Sequence, residues 1–363
     1  MDFLDCLPNV LVVKDRYEIV INLKEDGVCY VSVAGRAYYS SATGILPSRT
    51  HVQKFRIPQS VLDAAKAYTV HYKRVYERLS YFPKVGEWET QTFAFCPLEK
   101  SDGIRFLYTA DIHDHYAEAR KLAEICRQTG ELDFYVVNGD FGEAIDEEHL
   151  RRLNKLVGEV TGGRIPAVIG RGNHDTRGAC AEKVTDYMAT EHGRSYFDFS
   201  FGSVSGIVLD CGEDKYDDHA EYCGLNFFET YRREELHFLQ RVKLRGGSFC
   251  FAVCHVPFMS ADAMRGEFDI MPEVYQKWGA ALNRMPLSFM ICGHIHRLAY
   301  YPASDPNAKI EHLYPVVVGS ALEGDRLTGT LVTLQKEGSV YQTVCSDGTC
   351  SAPQPIGRTE VRA

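Results

Sequence analysis

Pro166-Ala-Val-Ile-Gly-Arg-Gly-Asn-His-Asp175 is the stretch around which the rest of the chain is organised. An apolar run of strand length ends in a turn bracketed by Gly170 and Gly172, and the turn sets Asn173, His174 and Asp175 side by side. Glycine permits the tight backbone that such a turn requires. Asn carries a hard oxygen donor for a metal, His transfers protons near neutral pH, and Asp can orient a neighbouring imidazole.

Outward from this stretch, strands alternate with helices. On the upstream side, the apolar run 104–110 stops at Asp111, after which Tyr116, Ala119, Leu122 and Ile125 recur at helical spacing until Gly130. A strand over 134–137 follows, then a helix marked by Leu150, Leu153, Leu156 and Val160, then the strand 167–169. This alternation predicts parallel strands joined by right-handed crossovers, with functional loops at the strands' carboxyl ends. Downstream the chain is richer in strands. A hairpin is expected over 196–210, followed by an acidic loop at 213–221 that reads as a solvated rim, and by a helix carrying Leu236, Leu239 and Val242. Strands over 249–254 and 289–292 flank a helix around Val274, Trp278 and Leu282, and a β meander completes the unit by 344.

Residues 1–97 read differently. Ile19, Ile21 and Leu23 alternate with Glu18, Val20 and Asn22, Asp26-Gly27 supplies a hairpin turn, and Tyr68, Val70 and Tyr72 share one face of a later strand. Short strands with polar turns suggest a small all-β sandwich of immunoglobulin or fibronectin type. The segment 97–103, PLEKSDG, is the natural linker. The expected organisation is therefore a sandwich over 1–97, an α/β unit over 103–350 and a tail over 351–363.

Composition narrows the function. With 363 residues, about two domains is the prior. A net charge of −9 argues against a dedicated nucleic-acid binder. No stretch approaches the ~18 apolar residues that would span a membrane, and no signal peptide is visible. The 12 cysteines are scattered without CxxC pairs, as expected of reduced thiols in a cytoplasmic protein.

Five fragments carry the chemistry: Asp111-Ile-His113, Asn138-Gly-Asp140, Gly172-Asn-His-Asp175, Val253-Cys-His255 and Gly293-His-Ile-His296. Each directly follows an expected strand, so a parallel sheet would bring them to one edge. In extended backbone an i,i+2 spacing points two side chains the same way, so one strand end can offer two ligands. Two carboxylates, one amide oxygen and four imidazoles, without a thiolate, suit zinc, manganese or iron better than calcium. Seven ligands exceed one tetrahedral site, and two metals sharing a carboxylate is the economical reading.

The order Asp-x-His, Gly-Asp, Gly-Asn-His-Asp, His, Gly-His-x-His resembles that of the calcineurin-like metallophosphoesterases over about residues 104–345. The resemblance implies a four-layer αββα domain with two packed mixed sheets. It implies Asp111, His113 and His296 as ligands of one divalent or mixed-valence ion and Asn173, His255 and His294 as ligands of a second, with Asp140 bridging. His174 resembles the histidine that assists the leaving group, with Asp175 as its orienting partner. A sandwich before the catalytic domain is similar to the purple acid phosphatase arrangement. The iron-binding Tyr of the purple enzymes is replaced here by Glu143, so the ligand set resembles that of the non-purple phosphodiesterase branch. The implied activity is hydrolysis of small-molecule phosphate mono- or diesters by a hydroxide bridging the two ions. His115, Arg171 and Arg177 are candidate substrate contacts. Two alternatives stand beside this reading: a non-catalytic interaction module on the same fold, and a nuclease.

Overall fold

The computed structural model describes residues 3–261 and 268–357. Three sheets are built among the described residues. In the largest, the strands Ile104–Thr109, Phe134–Asn138 and Ala167–Gly170 run parallel in neighbouring positions, with Phe106 opposite Phe134 and Gly170 opposite Asn138. In the second, Val204–Leu209, Phe249–Cys254, Phe289–Cys292 and Val316–Val318 run parallel, and Phe197–Phe201 closes one edge as the expected hairpin. The C-terminal meander serves both sheets: Val316–Val318 joins the second, while Arg326–Leu334 and Val340–Cys345 extend the first beyond Ile104–Thr109.

The two sheets pack face to face because their inward positions are aromatic. Phe106 stacks on Phe134 at 4.5 Å and on Phe251 at 5.4 Å, and Phe251 stacks on Phe289 at 5.1 Å. Helices cover the outer faces. Glu147–Thr161 starts at Asp146, whose carboxylate accepts the His149 backbone N–H at 2.9 Å, and it buries Leu150, Leu153, Val157 and Val160. On the other side Phe228–Arg241 and Pro272–Leu282 bury Leu236, Leu239, Trp278 and Leu282 against the second sheet. The result is the expected αββα layering, an α/β architecture in which the parallel strands of both sheets end at one edge.

The N-terminal 97 residues are β-rich, with two departures from expectation. They contain a helix, Gln59–Ala65. They also form only half a sandwich of their own. Gly27–Val33, Arg36–Tyr38, Ala67–Glu77 and Lys84–Ala94 make a separate four-stranded sheet, whereas Asn9–Val13, Arg16–Asn22 and Val52–Pro58 continue the largest sheet. Asn9–Val13 pairs parallel with Ala167–Gly170 at Leu11 and Ala167. It is buried at every position, with the helix Glu147–Thr161 and the strand Phe197–Phe201 packed against it. The rhythm of the sequence changes at 97–103, but the hydrogen bonding of the sheet crosses that point. The expected tail begins as a short strand, Gln354–Pro355, on Val340–Cys345, and 358–363 lie outside the described residues.

Candidate metal centre

The seven expected ligands meet at the common edge in two groups. Asp111, His113, Asp140 and His296 each bring a donor atom within 4.8 Å of the others, and so do Asp140, His255 and His294. Asp140 belongs to both. His113 Nε2 and His296 Nε2 are 3.0 Å apart, and Asp111 Oδ1 lies 3.6 Å from His296 Nε2. In the second group Asp140 Oδ2 is 3.0 Å from His255 Nε2, and Asn173 Oδ1 is 3.0 Å from His294 Nδ1.

Local backbone explains the convergence. Asp111, His113, Asp140, His294 and His296 all have positive φ, from +39° to +73°. Side chains other than glycine rarely adopt this region, which costs on the order of 1 kcal/mol per residue and collects at functional sites. Hydrogen bonds hold the strain: Asp111 N–H donates to Gly139 O at 3.1 Å, His113 N–H to Asp140 O at 3.1 Å, and His294 N–H to Asp111 Oδ1 at 2.8 Å. Gly139 and Gly172 let two strand ends touch. A Cβ on Gly139 would sit 2.3 Å from Gly172 N, and one on Gly172 would sit 2.2 Å from Asp140 Oδ1.

The residues fit divalent cations. Asp111 Oδ2 is buried without a hydrogen-bond partner, an arrangement that costs free energy unless something binds there. Burial lowers His113 and His294 to about 4, so both are neutral as ligands must be. Burial also raises Asp111 to about 6. For His255, burial opposes the charge but is outweighed by Asp140, and its pKa rises to about 10; a cation there would take the place of that proton. Burial would raise Asp140, yet the facing His255 holds it well below the usual carboxylate range. The His255 Nδ1–H donates to Asn138 O at 2.7 Å, which fixes the ring and leaves Nε2 to face the cluster.

Other expected roles need correction. Asp175 does not orient His174. Its carboxylate accepts backbone N–H bonds from Asp140 at 2.9 Å, Phe141 at 2.9 Å and Gly172 at 2.8 Å, and so ties the turns to each other. Burial, then Asp140, raises it to about 7. The His174 Nδ1–H instead donates to Glu143 O at 3.0 Å. Arg171 is committed to buried Asp210 at 2.7 Å, and Arg177 to Glu213 at 2.7 and 2.8 Å. His115 Nδ1 lies 2.8 Å from His113 O, and its Nε2 faces Asp325 at 3.5 Å. The acidic loop is only partly a solvated rim, since Arg177 and Tyr222 draw Glu213 and Asp214 into burial. Glu143, read in the sequence only as a departure, reaches His113 Nδ1 at 3.1 Å and His174 Nδ1 at 3.4 Å.

The Asp175 geometry makes a prediction. Asp175→Ala leaves three buried amides without an acceptor and should lower unfolding stability by about 3 kcal/mol in chemical denaturation. Asp175→Asn, which keeps one accepting oxygen, should lose less. A loss below about 1 kcal/mol for Asp175→Ala would mean that the turns hold without the carboxylate.

Comparison with known proteins gives the family. The model of the calcineurin-like phosphoesterase family matches residues 104–298, more than half of the chain. The fold is similar to that of purple acid phosphatase PPD1 from yellow lupin (Lupinus luteus) seeds, with 10% identity and a TM-score of 0.57 over 98% of this chain and 74% of that one. PhoD gives 9% identity and a TM-score of 0.48 over 99% and 94% of the two chains. TT1561 of Thermus thermophilus gives 11% identity and a TM-score of 0.37 over 70% and 100%. No curated protein sequence gives a significant match. On the family match, the chain belongs to the calcineurin-like phosphoesterases and is a metal-dependent phosphoester hydrolase.

Proposed function

We propose that the protein hydrolyses small-molecule phosphate mono- or diesters at a dinuclear centre. Asp111, His113 and His296 would hold one cation, Asn173, His255 and His294 the other, and Asp140 would be shared. The observation that carries this reading is the membership of Asp140 in both ligand groups. Zinc, manganese or iron held there would polarise the phosphoryl oxygens and make water nucleophilic near neutral pH. The chain's own contribution falls to His174. Its Nδ1–H is fixed on Glu143 O, so Nε2 is the atom left to act. As water adds to phosphorus and the P–O bond to the alcohol breaks, Nε2–H would give its proton to the departing oxygen, and the proton released by water would restore it.

The first 97 residues support this unit through the pairing at Leu11 and Ala167. All 12 cysteines are unpaired, which supports a reducing, cytoplasmic setting. No helix among the described residues is long and apolar enough to cross a membrane. Dialysis against a chelator should lower turnover of generic mono- and diester substrates by at least about a hundredfold. Adding back Zn²⁺, Mn²⁺ or Fe²⁺ should restore it and raise the melting temperature. Turnover unaffected by complete metal removal would refute the proposal.

A further inference from the structure

A cavity of about 680 Å³ is lined by Thr176 and Arg177, the residues that directly follow the Asn173-His174-Asp175 turn. The Thr176 hydroxyl lies 2.8 Å from both Asn173 O and Glu213 Oε1, and Arg177 Nη1 stands 3.5 Å from His174 Nε2. The cavity therefore lies on the side of the centre where the proposed proton donor sits. Its volume is that of an organic ligand and far exceeds a phosphoryl group. Resting on the phosphoesterase reading above, we propose that this cavity receives the alcohol half of the substrate and selects an aromatic or heteroaromatic group without further negative charge.

The wall chemistry argues for that class. Both arginines that face the cavity are neutralised, Arg171 by Asp210 and Arg177 by Glu213, so neither is left to pair with a second anion. Glu182 adds exposed negative charge to the lining, while Glu221 is paired with Lys215 at 3.2 Å. Four of the hydroxyls are held from within the protein: those of Thr176 and Tyr222 face Glu213, and those of Tyr231 and Ser195 face Asp210. Arg171 Nε is buried without a hydrogen-bond partner, and Thr185 and Asn226 add a hydroxyl and an amide to the lining. Beside these polar groups the walls offer a ligand apolar and flat surface. The Arg171 guanidinium lies over the rings of Phe228 at 5.5 Å and Tyr231 at 5.7 Å. Leu225 and Phe227, in the loop before the helix Phe228–Arg241, line the cavity yet remain 86% and 68% exposed. Large apolar side chains left in water at the mouth of a cavity gain by covering a bound ring.

The test uses metal-loaded full-length protein and two esters, 1-naphthyl phosphate and ethyl phosphate, on wild type, Phe227→Ala and Leu225→Ala. Both side chains are mostly exposed, so the variants should keep the wild-type melting temperature. For naphthyl phosphate, KM should rise about tenfold in Phe227→Ala, with kcat within about twofold, while kcat/KM for ethyl phosphate stays unchanged. Independently of turnover, 1-naphthol should show saturable binding to the wild type by fluorescence, weakened about tenfold in Phe227→Ala. If both esters are hydrolysed and the variants do not separate them, or if naphthol does not bind saturably, the cavity assignment fails and the phosphoesterase reading stands. If the loaded wild type hydrolyses neither these monoesters nor a generic phosphodiester, that reading fails and the assignment of an alcohol half falls with it.

Discussion

Asp140→Asn should leave a folded protein that holds about one metal ion or fewer per chain and has lost on the order of 10³-fold in kcat/KM. The side chain is 1% exposed, so a change of charge there is felt without dilution by solvent. Its Oδ1 accepts the His174 backbone N–H at 2.9 Å, a bond that the asparagine oxygen can keep. Its Oδ2 lies 3.0 Å from His255 Nε2 and 3.7 Å from His113 Nε2, where two ligand groups meet. The substitution keeps volume and shape but puts an NH₂ donor where a shared anionic acceptor stood, and a donor cannot ligate a cation. Elemental analysis and turnover should fall together, while circular dichroism and the cooperative melt persist. An Asp140→Asn protein with its full metal content and full turnover would remove the basis of the dinuclear reading.

How much of this could be read from the sequence depends on where each partner lies. All seven proposed ligands follow apolar runs closely, and parallel strands ending at one edge turn five scattered fragments into one cluster. Backbone partners left no such trace. The neighbour relation of His174 and Asp175 suggested a pair, but the tight helical turn His174–Thr176 sends successive side chains in different directions, and the Asp175 carboxylate finds amides of Asp140, Phe141 and Gly172. Burial of Glu213 was equally hidden, since its counter-ion Arg177 lies 36 positions earlier. The apolar run Val10–Val13 reads the same whether its neighbour lies in its own sheet or in the next one, so the junction at Leu11 and Ala167 had no pattern to announce it.

The same geometry explains why the edge is assembled as it is. The proposed pair of cations would demand donors from several strand ends at once, and five of the residues proposed to supply them sit at positive φ. That strain persists only because the surrounding structure determines it. Asp175 is central to this, as it ties the Gly172 turn to the Asp140 turn from beneath. A carboxylate without contact to substrate or metal thus governs the spacing of the groups proposed to have both.

His174→Ala should separate proton transfer from metal binding. The backbone N–H that donates to Asp140 survives the change, and none of the seven proposed ligands is removed, so metal content should stay at the wild-type ratio. Turnover of an alkyl ester should fall by about 10²–10³-fold, the usual worth of a positioned general acid, with KM within a few-fold. An ester of p-nitrophenol should lose much less, because its leaving oxygen departs without a proton. Equal losses for both esters would move His174 from the leaving oxygen to the phosphoryl oxygens. A third outcome has its own structural basis. His174 also groups with His113 and Glu143 within 4.8 Å, and its ring centroid lies 4.9 Å from that of His113. If His174→Ala emptied the site, a cation would be held by that trio, and His174 would be a ligand whose Nε2 was never available to carry a proton.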